Sequence, residues 1–343
     1  MNIGTILIAI LVFGLLIFIH ELGHFLTAKW SGMKVNEFAL GMGPTLFSFS
    51  KGETKYALRL FPIGGFVAVE GENEDSGDKR AFGNVHVAKR VIFVIAGAVM
   101  NITLGLVILG ILSAQQSSFG STQIAAFNEG AASNQQLKID DKIIKIDGHR
   151  VRTDKDIIYE FMRARDGQLS MVVERDGAQI PLDVQFQMEE ADDGSGVSFI
   201  NIDFRVYGVP KTFGGVIQNT FNWTATVVKQ VWGSLVDLVT GRFGFNQLSG
   251  PVGVTEAIGK ASSAGFDSLL LFVAYITVNL GVFNLLPIPA LDGGRLIFLI
   301  IEIIRRKPIN PKYENIVNAT GFVLLIGLMI CVTFNDVLKI FTR

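Results

Sequence analysis

The sequence predicts a polytopic α-helical membrane protein with four transmembrane helices and a soluble domain inserted between the second and the third. Three observations support this class. Of 343 residues, 49% are hydrophobic and only 18% are charged, a balance too apolar for an ordinary soluble protein of this length. Long apolar runs recur along the chain, and one long polar stretch, residues 115–210, separates them into two pairs.

Four apolar runs are long enough to cross the bilayer, which takes about 20 helical residues. Their apolar parts are residues 3–28, 91–114, 269–287 and 317–338, within predicted segments 1–30, 91–114, 265–305 and 313–343. A cleaved signal peptide is the competing interpretation of the first run. It is disfavoured because no Lys or Arg precedes the run, the run is too long, and no small-residue cleavage site follows. We expect the first run to stay in the membrane.

The remaining segments are less apolar. Residues 115–210 contain alternating, strand-like runs bounded by Gly and Asp, such as Ser170 to Glu174 and Ser198 to Val206, which predict a soluble domain. In residues 211–245, apolar side chains recur at helical spacing while polar ones intervene. This pattern predicts an amphipathic helix at the membrane interface, with a fifth span as the alternative.

Basic residues near the ends of the spans predict the orientation. They concentrate between the first two apolar runs and between the last two, so these regions are expected in the cytoplasm. The residues concerned are Lys29, Lys34, Lys79, Arg80, Lys89, Arg90, Arg295, Arg305, Arg306, Lys307 and Lys312. Both termini and the soluble domain are then extracytoplasmic, in a multi-pass protein of the inner or plasma membrane.

Charge and cysteine content exclude two classes of function. The formal net charge is −1 and the basic residues are dispersed, so the chain lacks the basic stripe typical of a nucleic-acid partner. The single cysteine excludes intramolecular disulfides and CxxC metal sites.

The first span contains an H-E-x-x-H pattern, His20-Glu21-Leu22-Gly23-His24. Histidines four residues apart lie on one helical face and can both bind one Zn²⁺, while Glu21 stands beside that face as the candidate general base. Zinc lowers the pKa of a bound water towards 7, and a carboxylate can pass its proton to the leaving nitrogen. A structural pairing of His20 with Glu21 would leave His24 unexplained, and ionisable groups in an apolar span usually serve function.

A catalytic zinc site needs a third protein ligand. His86 lies in a polar loop and His149 in the soluble domain, so a carboxylate is favoured, and Asp292 is the best placed. At about 1.5 Å per residue, His20 lies roughly 26 Å below Ile3 and Asp292 about 35 Å below Leu269, both in the cytoplasmic part of the bilayer. The alternative, an Asp that caps the following helix, is compatible with ligation.

Several motifs in this order resemble the bacterial site-2 protease family, the intramembrane zinc metalloproteases of the regulator-of-sigma-E-protease type. The match covers nearly the whole chain. Its motifs are His20-Glu-Leu-Gly-His24, Gly41-Met-Gly-Pro44, Phe61-Pro-Ile-Gly-Gly-Phe66, Ser249-Gly-Pro-Val-Gly253 and Asn284-Leu-Leu-Pro-Ile-Pro-Ala-Leu-Asp-Gly293.

The resemblance implies one catalytic zinc ion held by His20, His24 and Asp292, with Glu21 as acid/base. It implies that Asn284 and Asn279 contact the substrate backbone. It also implies a membrane-associated β-hairpin in residues 31–90, where the segment around Gly64 and Gly65 could offer an edge strand to an extended substrate. The other interpretation is a cytoplasmic hairpin that only covers the site. The implied substrates are transmembrane helices within the lipid bilayer, from anti-sigma factors or signal-peptide remnants.

Residues 121–187 resemble one PDZ-like α/β domain, with departures from the family pattern. Ala131-Ala132-Ser133 and Asp140-Asp141 stand where the family often has Ser-Pro-Ala and Gly-Asp. A steric filter is therefore an alternative to peptide binding. Gly97-Ala98 stands where many relatives have Gly-Pro in the second span, and we expect little effect on catalysis.

Two other functions remain alternatives. A metal-binding membrane scaffold or receptor would use the PDZ-like domain to recognise partners and would close its structural metal with four protein ligands. A transporter is disfavoured because no pair of matching interrupted spans marks internal repeats.

Overall fold

The structure is a computed structural model and describes residues 2–72, 76–164, 166–190, 198–241, 248–307 and 309–342. The helices are α1 Ile3–Ser31, α2 Val87–Gln115, α3 Asp154–Arg163, α4 Phe213–Val239, α5 Pro251–Ser263, α6 Phe266–Asn284, α7 Asp292–Arg305 and α8 Pro311–Thr342. The strands are β1 Val35–Lys51, β2 Thr54–Val69, β3 Ser118–Phe127, β4 Lys142–Ile146, β5 His149–Arg150, β6 Gln168–Arg175, β7 Ala178–Gln185, β8 Met188–Glu190, β9 Ser198–Ile200 and β10 Phe204–Pro210.

The chain forms two compact units. The membrane unit consists of Met1–Ile108 and Val231–Arg343, and the sheet unit consists of Leu109–Gln230. Among the described residues, four helices are long and apolar enough to cross a membrane: Ile3–Ser31, Val87–Gln115, Phe266–Asn284 and Lys312–Lys339. The prediction of four candidate spans and an inserted sheet-rich region is confirmed.

The predicted third segment, 265–305, consists of two helices rather than one. α6 ends at Asn284 and α7 begins at Asp292. Proline interrupts the helical hydrogen bonds at two positions in between, and Ala290 adopts a left-handed conformation with φ of 71°. The Asn318 side chain of α8 accepts a hydrogen bond from the Ala290 N–H at 3.3 Å. The break is thereby fixed from a neighbouring helix and places Asp292 in the first turn of α7.

β1 and β2 form an antiparallel two-stranded sheet, which lies in the predicted hairpin region. Leu40 pairs with Leu58 and also with Gly65, so β1 is flanked by both halves of β2. The last residues of β2, 65–69, therefore form the outer strand on that side among the described residues. The association of this hairpin with the membrane stays a prediction.

Two helices, α4 and α5, follow the last strand, β10, in sequence. α4 corresponds to the predicted amphipathic helix 211–245, whose end extends beyond the described residues, and α4 is not among the four candidate spans. The sequence pattern missed α5, which begins with Pro251 at its first turn. Asp336 of α8 accepts a hydrogen bond from the Gly253 N–H at 2.8 Å, so a carboxylate from a candidate span caps the amino end of this helix.

The sheet unit contains a six-stranded sheet with the path β10-β3-β4-β6-β7, and β5 pairs with β4. The predicted strand at Ser170 to Glu174 is confirmed as part of β6. The predicted strand from Ser198 to Val206 is wrong in its continuity, because β9 and β10 are separate and lie in different sheets. Aromatic rings of Phe161, Phe186 and Phe204 pack in the core beside the sheet. Whether this unit is PDZ-like stays a prediction.

Candidate active site

Three predicted ligand atoms converge at one point of the membrane unit. The Nε2 atoms of His20 and His24 are 3.2 Å apart, and each lies 3.3 Å from Oδ2 of Asp292. The histidines are on one face of α1 because their spacing of four residues is close to one helical turn. The break between α6 and α7 brings Asp292 to them, so the structure assembles residues 268 or more positions apart in sequence through helix packing.

The triangle of ligand atoms fits a tetrahedral zinc ion. Zinc binds imidazole nitrogen and carboxylate oxygen at about 2.0–2.2 Å, and two corners of such a tetrahedron are about 3.3–3.5 Å apart. The observed edges of 3.2 and 3.3 Å agree with this spacing. Oδ2 of Asp292 is also buried without a hydrogen-bond donor among the described residues. The three donors therefore suit a cation and leave the fourth corner open.

Helix α2 supports the histidines from behind. The Nδ1–H of His24 donates to the Phe93 carbonyl at 2.8 Å, so Nε2 keeps its lone pair for the metal. Nδ1 of His20 lies 3.3 Å from the side-chain nitrogen of Asn101. Between these two contacts, a Cβ at Gly97 would overlap Nε2 of His24 and the ring of His20. Only glycine lets α2 approach the two imidazoles this closely.

A cavity of about 670 Å³ opens beside the ligands and is lined by His20, Glu21, His24 and Asp292. The end of β2 forms another part of its wall through Gly65, Phe66 and Val67. A Cβ at Gly65 would come within 2.8 Å of Cγ of Glu21, so the β-strand backbone passes close to the candidate base. The strand edge and the predicted catalytic residues thus face the same space.

The structure brings together some of the predicted site residues and leaves others apart. His20, Glu21, His24, Asp292 and Gly65 all line the cavity. The predicted substrate-binding residues Asn284, Asn279 and Gly64 are not among the lining residues: the two asparagines lie in the last turns of α6, and Gly64 lies in β2 with a φ of 76°.

Sequence analysis missed several polar residues of the site, namely Glu72, Arg295, Asn315 and Asn318 at the cavity wall and Asn101 behind His20. The available signal was the presence of amides in apolar spans, where polar residues usually serve function. Arg295 follows Asp292 by one helical turn and forms ion pairs with Glu72 and, at 4.0 Å, with Glu314. Glu72 and Glu314 therefore neutralise the charge of Arg295, which is the basic residue nearest in sequence to Asp292.

Comparison with known proteins agrees with this site. The model of Peptidase family M50 matches residues 8–328. The chain is 38% identical to a Clostridium perfringens protein named for an inferred zinc metalloprotease activity, over 97% of this chain and 98% of the relative. It is 31% identical to Zinc metalloprotease RasP of Shouchella clausii, and 31% identical to Regulator of sigma-W protease RasP of Bacillus subtilis, in both cases over 99% of this chain and 100% of the relative.

The two RasP alignments run over 421 and 426 residues, so these relatives are longer than the 343 residues of this chain, although they match it from end to end. The family match covers the HExxH helix and the helix that begins at Asp292. The chain belongs to peptidase family M50, and it is a zinc metalloprotease.

Proposed function

We propose that this metalloprotease performs site-2 cleavage, the hydrolysis of a peptide bond in a membrane-spanning segment of its substrate, with zinc bound by His20, His24 and Asp292. The single observation that carries the proposal is the triangle of three ligand atoms, which is built on a helix apolar enough to span the membrane. An open coordination position and a candidate base beside it favour catalysis over a structural metal, which is usually closed by four protein ligands.

Each residue has a chemical role in the proposed reaction. His20, His24 and Asp292 would hold the zinc ion, which would supply a Lewis acid able to lower the pKa of water and to polarise a carbonyl. Glu21 accepts the proton of the attacking water and passes it to the leaving amide nitrogen. The Nδ1–H bond from His24 to the Phe93 carbonyl keeps that imidazole oriented with Nε2 toward the metal.

The outer strand of the hairpin provides a way to hold the substrate. A transmembrane helix must unwind locally before it can be cut, and its freed N–H and C=O groups then need partners. Residues 65–67 line the cavity, and no other strand of the described residues pairs on their outer side. We assign this edge to β-strand addition by the substrate. Asn284 and Asn279 remain candidates for contacts outside the cavity wall.

The apolar surface of the hairpin supports its association with the membrane. Large hydrophobic side chains of β1 and β2 are about half exposed or more, namely Met42, Leu46, Phe47, Phe49, Leu58, Leu60 and Phe61. Exposed apolar patches of this kind mark contacts with a partner or a bilayer. We place the hairpin at the cytoplasmic face, in agreement with the basic residues that flank the spans.

The sheet unit has a proposed regulatory role. If it is PDZ-like and extracytoplasmic, as its sequence suggests, it selects substrates either by binding a peptide or by excluding those with large outer domains. The Bacillus subtilis relative is named as a regulator of sigma-W. We therefore propose anti-sigma factors as one substrate class, beside signal-peptide remnants.

The test is the change Glu21→Gln in the full-length chain, with a model transmembrane substrate in detergent micelles or liposomes. Cleavage is expected to fall by at least about 100-fold, because loss of a general base costs about 10²–10⁴-fold. Zinc content should stay at one ion per chain because no ligand is changed. Glu53→Gln, on an exposed carboxylate that pairs with Lys29, is the matched control and should cleave normally. Full cleavage by Glu21→Gln would refute the assigned base.

A further inference from the structure

Asn101 lies against His20 on the side away from the metal position. It is completely buried in the middle of α2, with its Nδ2 atom 3.3 Å from Nδ1 of His20. Burial of an amide in an apolar span is costly unless the amide has hydrogen-bond partners. Its Oδ1 atom has no partner among the described residues. The imidazole of His20 is therefore the group that determines which end of the amide faces it.

The metal position defines what Nδ1 of His20 requires. Nε2 of His20 faces Nε2 of His24 and Oδ2 of Asp292. When a cation is bound there, Nε2 of His20 must offer it a lone pair. The neutral imidazole then carries its hydrogen on Nδ1, where it is a donor that needs an acceptor. A half-turn of the Asn101 amide about its Cβ–Cγ bond exchanges Nδ2 for Oδ1 and puts that acceptor beside Nδ1.

His24 is held in the same way by the same helix face. Phe93, Gly97 and Asn101 are spaced four residues apart on α2, so they lie along one side of it. The Phe93 carbonyl accepts from Nδ1 of His24, Gly97 gives both rings room, and Asn101 meets Nδ1 of His20. One face of α2 thus contacts the outer nitrogen of each histidine ligand.

We propose that Asn101 is a positioning residue that accepts a hydrogen bond from the Nδ1–H of His20 and fixes this imidazole with Nε2 toward the zinc ion. This inference rests on the ligand set proposed above. Loss of such a partner behind a metal-bound histidine typically costs about 10–100-fold in metal affinity.

Thr277 offers a matched control at the same place. Its hydroxyl is completely buried and donates to the backbone carbonyl of Asn101 at 3.0 Å. Thr277→Val removes a hydrogen bond and keeps the shape of the side chain, but it leaves the amide of Asn101 untouched. It should lower stability without affecting the imidazole.

The experiment measures zinc affinity of the full-length chain in detergent by competition with a chelator. Asn101→Leu should bind zinc about 10–100-fold more weakly than the parent. Asn101→Asp should bind at least as tightly as the parent, because a carboxylate oxygen also accepts from Nδ1–H. Thr277→Val should stay near the parent value. If Asn101→Leu cannot be purified, Asn101→Ala removes the acceptor without added bulk and replaces it in the same comparison.

Two results would overturn the inference: parent affinity in the variant without an acceptor, or an Asn101→Asp variant as weak as that one. The second result would mean that the amide matters for packing and not as an acceptor. His20→Ala separates this failure from failure of the ligand set. If zinc binding in His20→Ala equals that of the parent, the ligand assignment itself is refuted; if it is lost, the Asn101 comparison is decisive.

Discussion

Two buried carboxylates, one in each unit, differ in their hydrogen-bond partners. In the sheet unit, Asp141 is almost fully buried and accepts two hydrogen bonds of 2.7 Å from Arg175 and one from the Lys138 N–H. In the membrane unit, Asp292 directs a buried oxygen at two histidine nitrogens and has no hydrogen-bond donor for it among the described residues.

The same contrast extends through the sheet unit. Asp203 accepts from the N–H and the hydroxyl of Ser133 at 3.0 and 2.6 Å. Glu160 is 2% exposed and pairs with Lys229 at 2.6 Å and with His149 at 3.1 Å. Folding alone satisfies these groups. Oδ2 of Asp292 in the membrane unit is instead left without a donor among the described residues, as expected of a carboxylate that binds a ligand.

The largest effect is expected when each of the two compared carboxylates, Asp292 and Asp141, is replaced by alanine. Asp292→Ala should abolish zinc binding and cleavage. The unfolding temperature of the zinc-free chain should be unchanged or slightly higher, because no structural hydrogen bond is lost. Asp141→Ala should keep one zinc ion per chain but lose about 1.5–3 kcal/mol of stability, since hydrogen bonds to the charged Arg175 are removed. Zinc analysis and thermal unfolding in detergent measure both.

The reverse pattern would end the distinction. If the zinc-free Asp292→Ala variant unfolded at a lower temperature than Asp141→Ala, Asp292 would be a structural group, as in the helix-capping interpretation.

The next effect compares two glycines of the same helix, one in each unit. Gly97→Ala should weaken zinc binding strongly and cost about 1–3 kcal/mol, because the added methyl group overlaps both histidine ligands. Gly110→Ala places its Cβ 3.6 Å from Thr220, an ordinary contact. That change should leave zinc binding intact and stabilise the helix by up to about 1 kcal/mol.

Equal zinc affinity in the two alanine variants would show that α2 does not approach the histidines as closely as described. Metal titration and thermal unfolding of both variants decide this.

Local sequence patterns were sufficient for the parts of the site that depend on a single helix. The spacing of His20 and His24 and the cost of ionisable groups in an apolar span predicted the first two ligands of the proposed metal site. Asp292 needed span direction and family resemblance together, because its approach depends on the break after Asn284. Asn101 could not be predicted, since its contact with His20 depends on the packing of α2 behind α1.

Tertiary contacts also explain why the sequence pattern missed α5 and why polar residues occur in α4. α5 is short, its N-cap residue Gly250 has no side chain to cap it, and the carboxylate that accepts from its first turn is Asp336 of α8. Two polar residues of α4 have partners in α3: Thr226 donates to Asp156 at 2.8 Å, and Lys229 pairs with Glu160. These contacts join residues about 70 positions apart, so no local pattern predicts them.

A smaller effect tests this explanation of α4. Thr226→Val should cost about 1 kcal/mol, because Asp156 loses one donor but keeps the N–H groups of Arg152 and Thr153. Thr240→Val, directly after the last residue of α4, is the matched control, because that exposed hydroxyl bonds only to carbonyls of the last turn of the helix. The control should change stability by less than about 0.5 kcal/mol. Equal unfolding temperatures for both variants would show that the hydrogen bond from Thr226 to Asp156 does not stabilise the packing of α4.

The smallest effect is a pH dependence of stability. It tests whether unpartnered carboxylates are a property of the whole membrane unit or only of the candidate metal site. Glu70 is in the membrane unit, but it is partnered like the acids of the sheet unit. Hydrogen bonds from Asn36, Ser76 and Lys34 lower the pKa of its carboxyl from 4.5 to about 2. A lowered pKa in the folded state stabilises the fold above pH 4.5, and this contribution is lost as the pH falls towards 2.

The variant Glu70→Gln lacks this titration. It should be slightly less stable than the parent at neutral pH, and its stability should fall less steeply between pH 4.5 and 2, so that the two curves converge at the acid end. Asn36→Ala removes one of the three donors and should give an intermediate slope. Acid unfolding followed by circular dichroism measures all three chains. Parallel curves would mean that Glu70 gains nothing from its partners. Convergence would show that carboxylates of the membrane unit are satisfied by folding wherever no metal is to be bound.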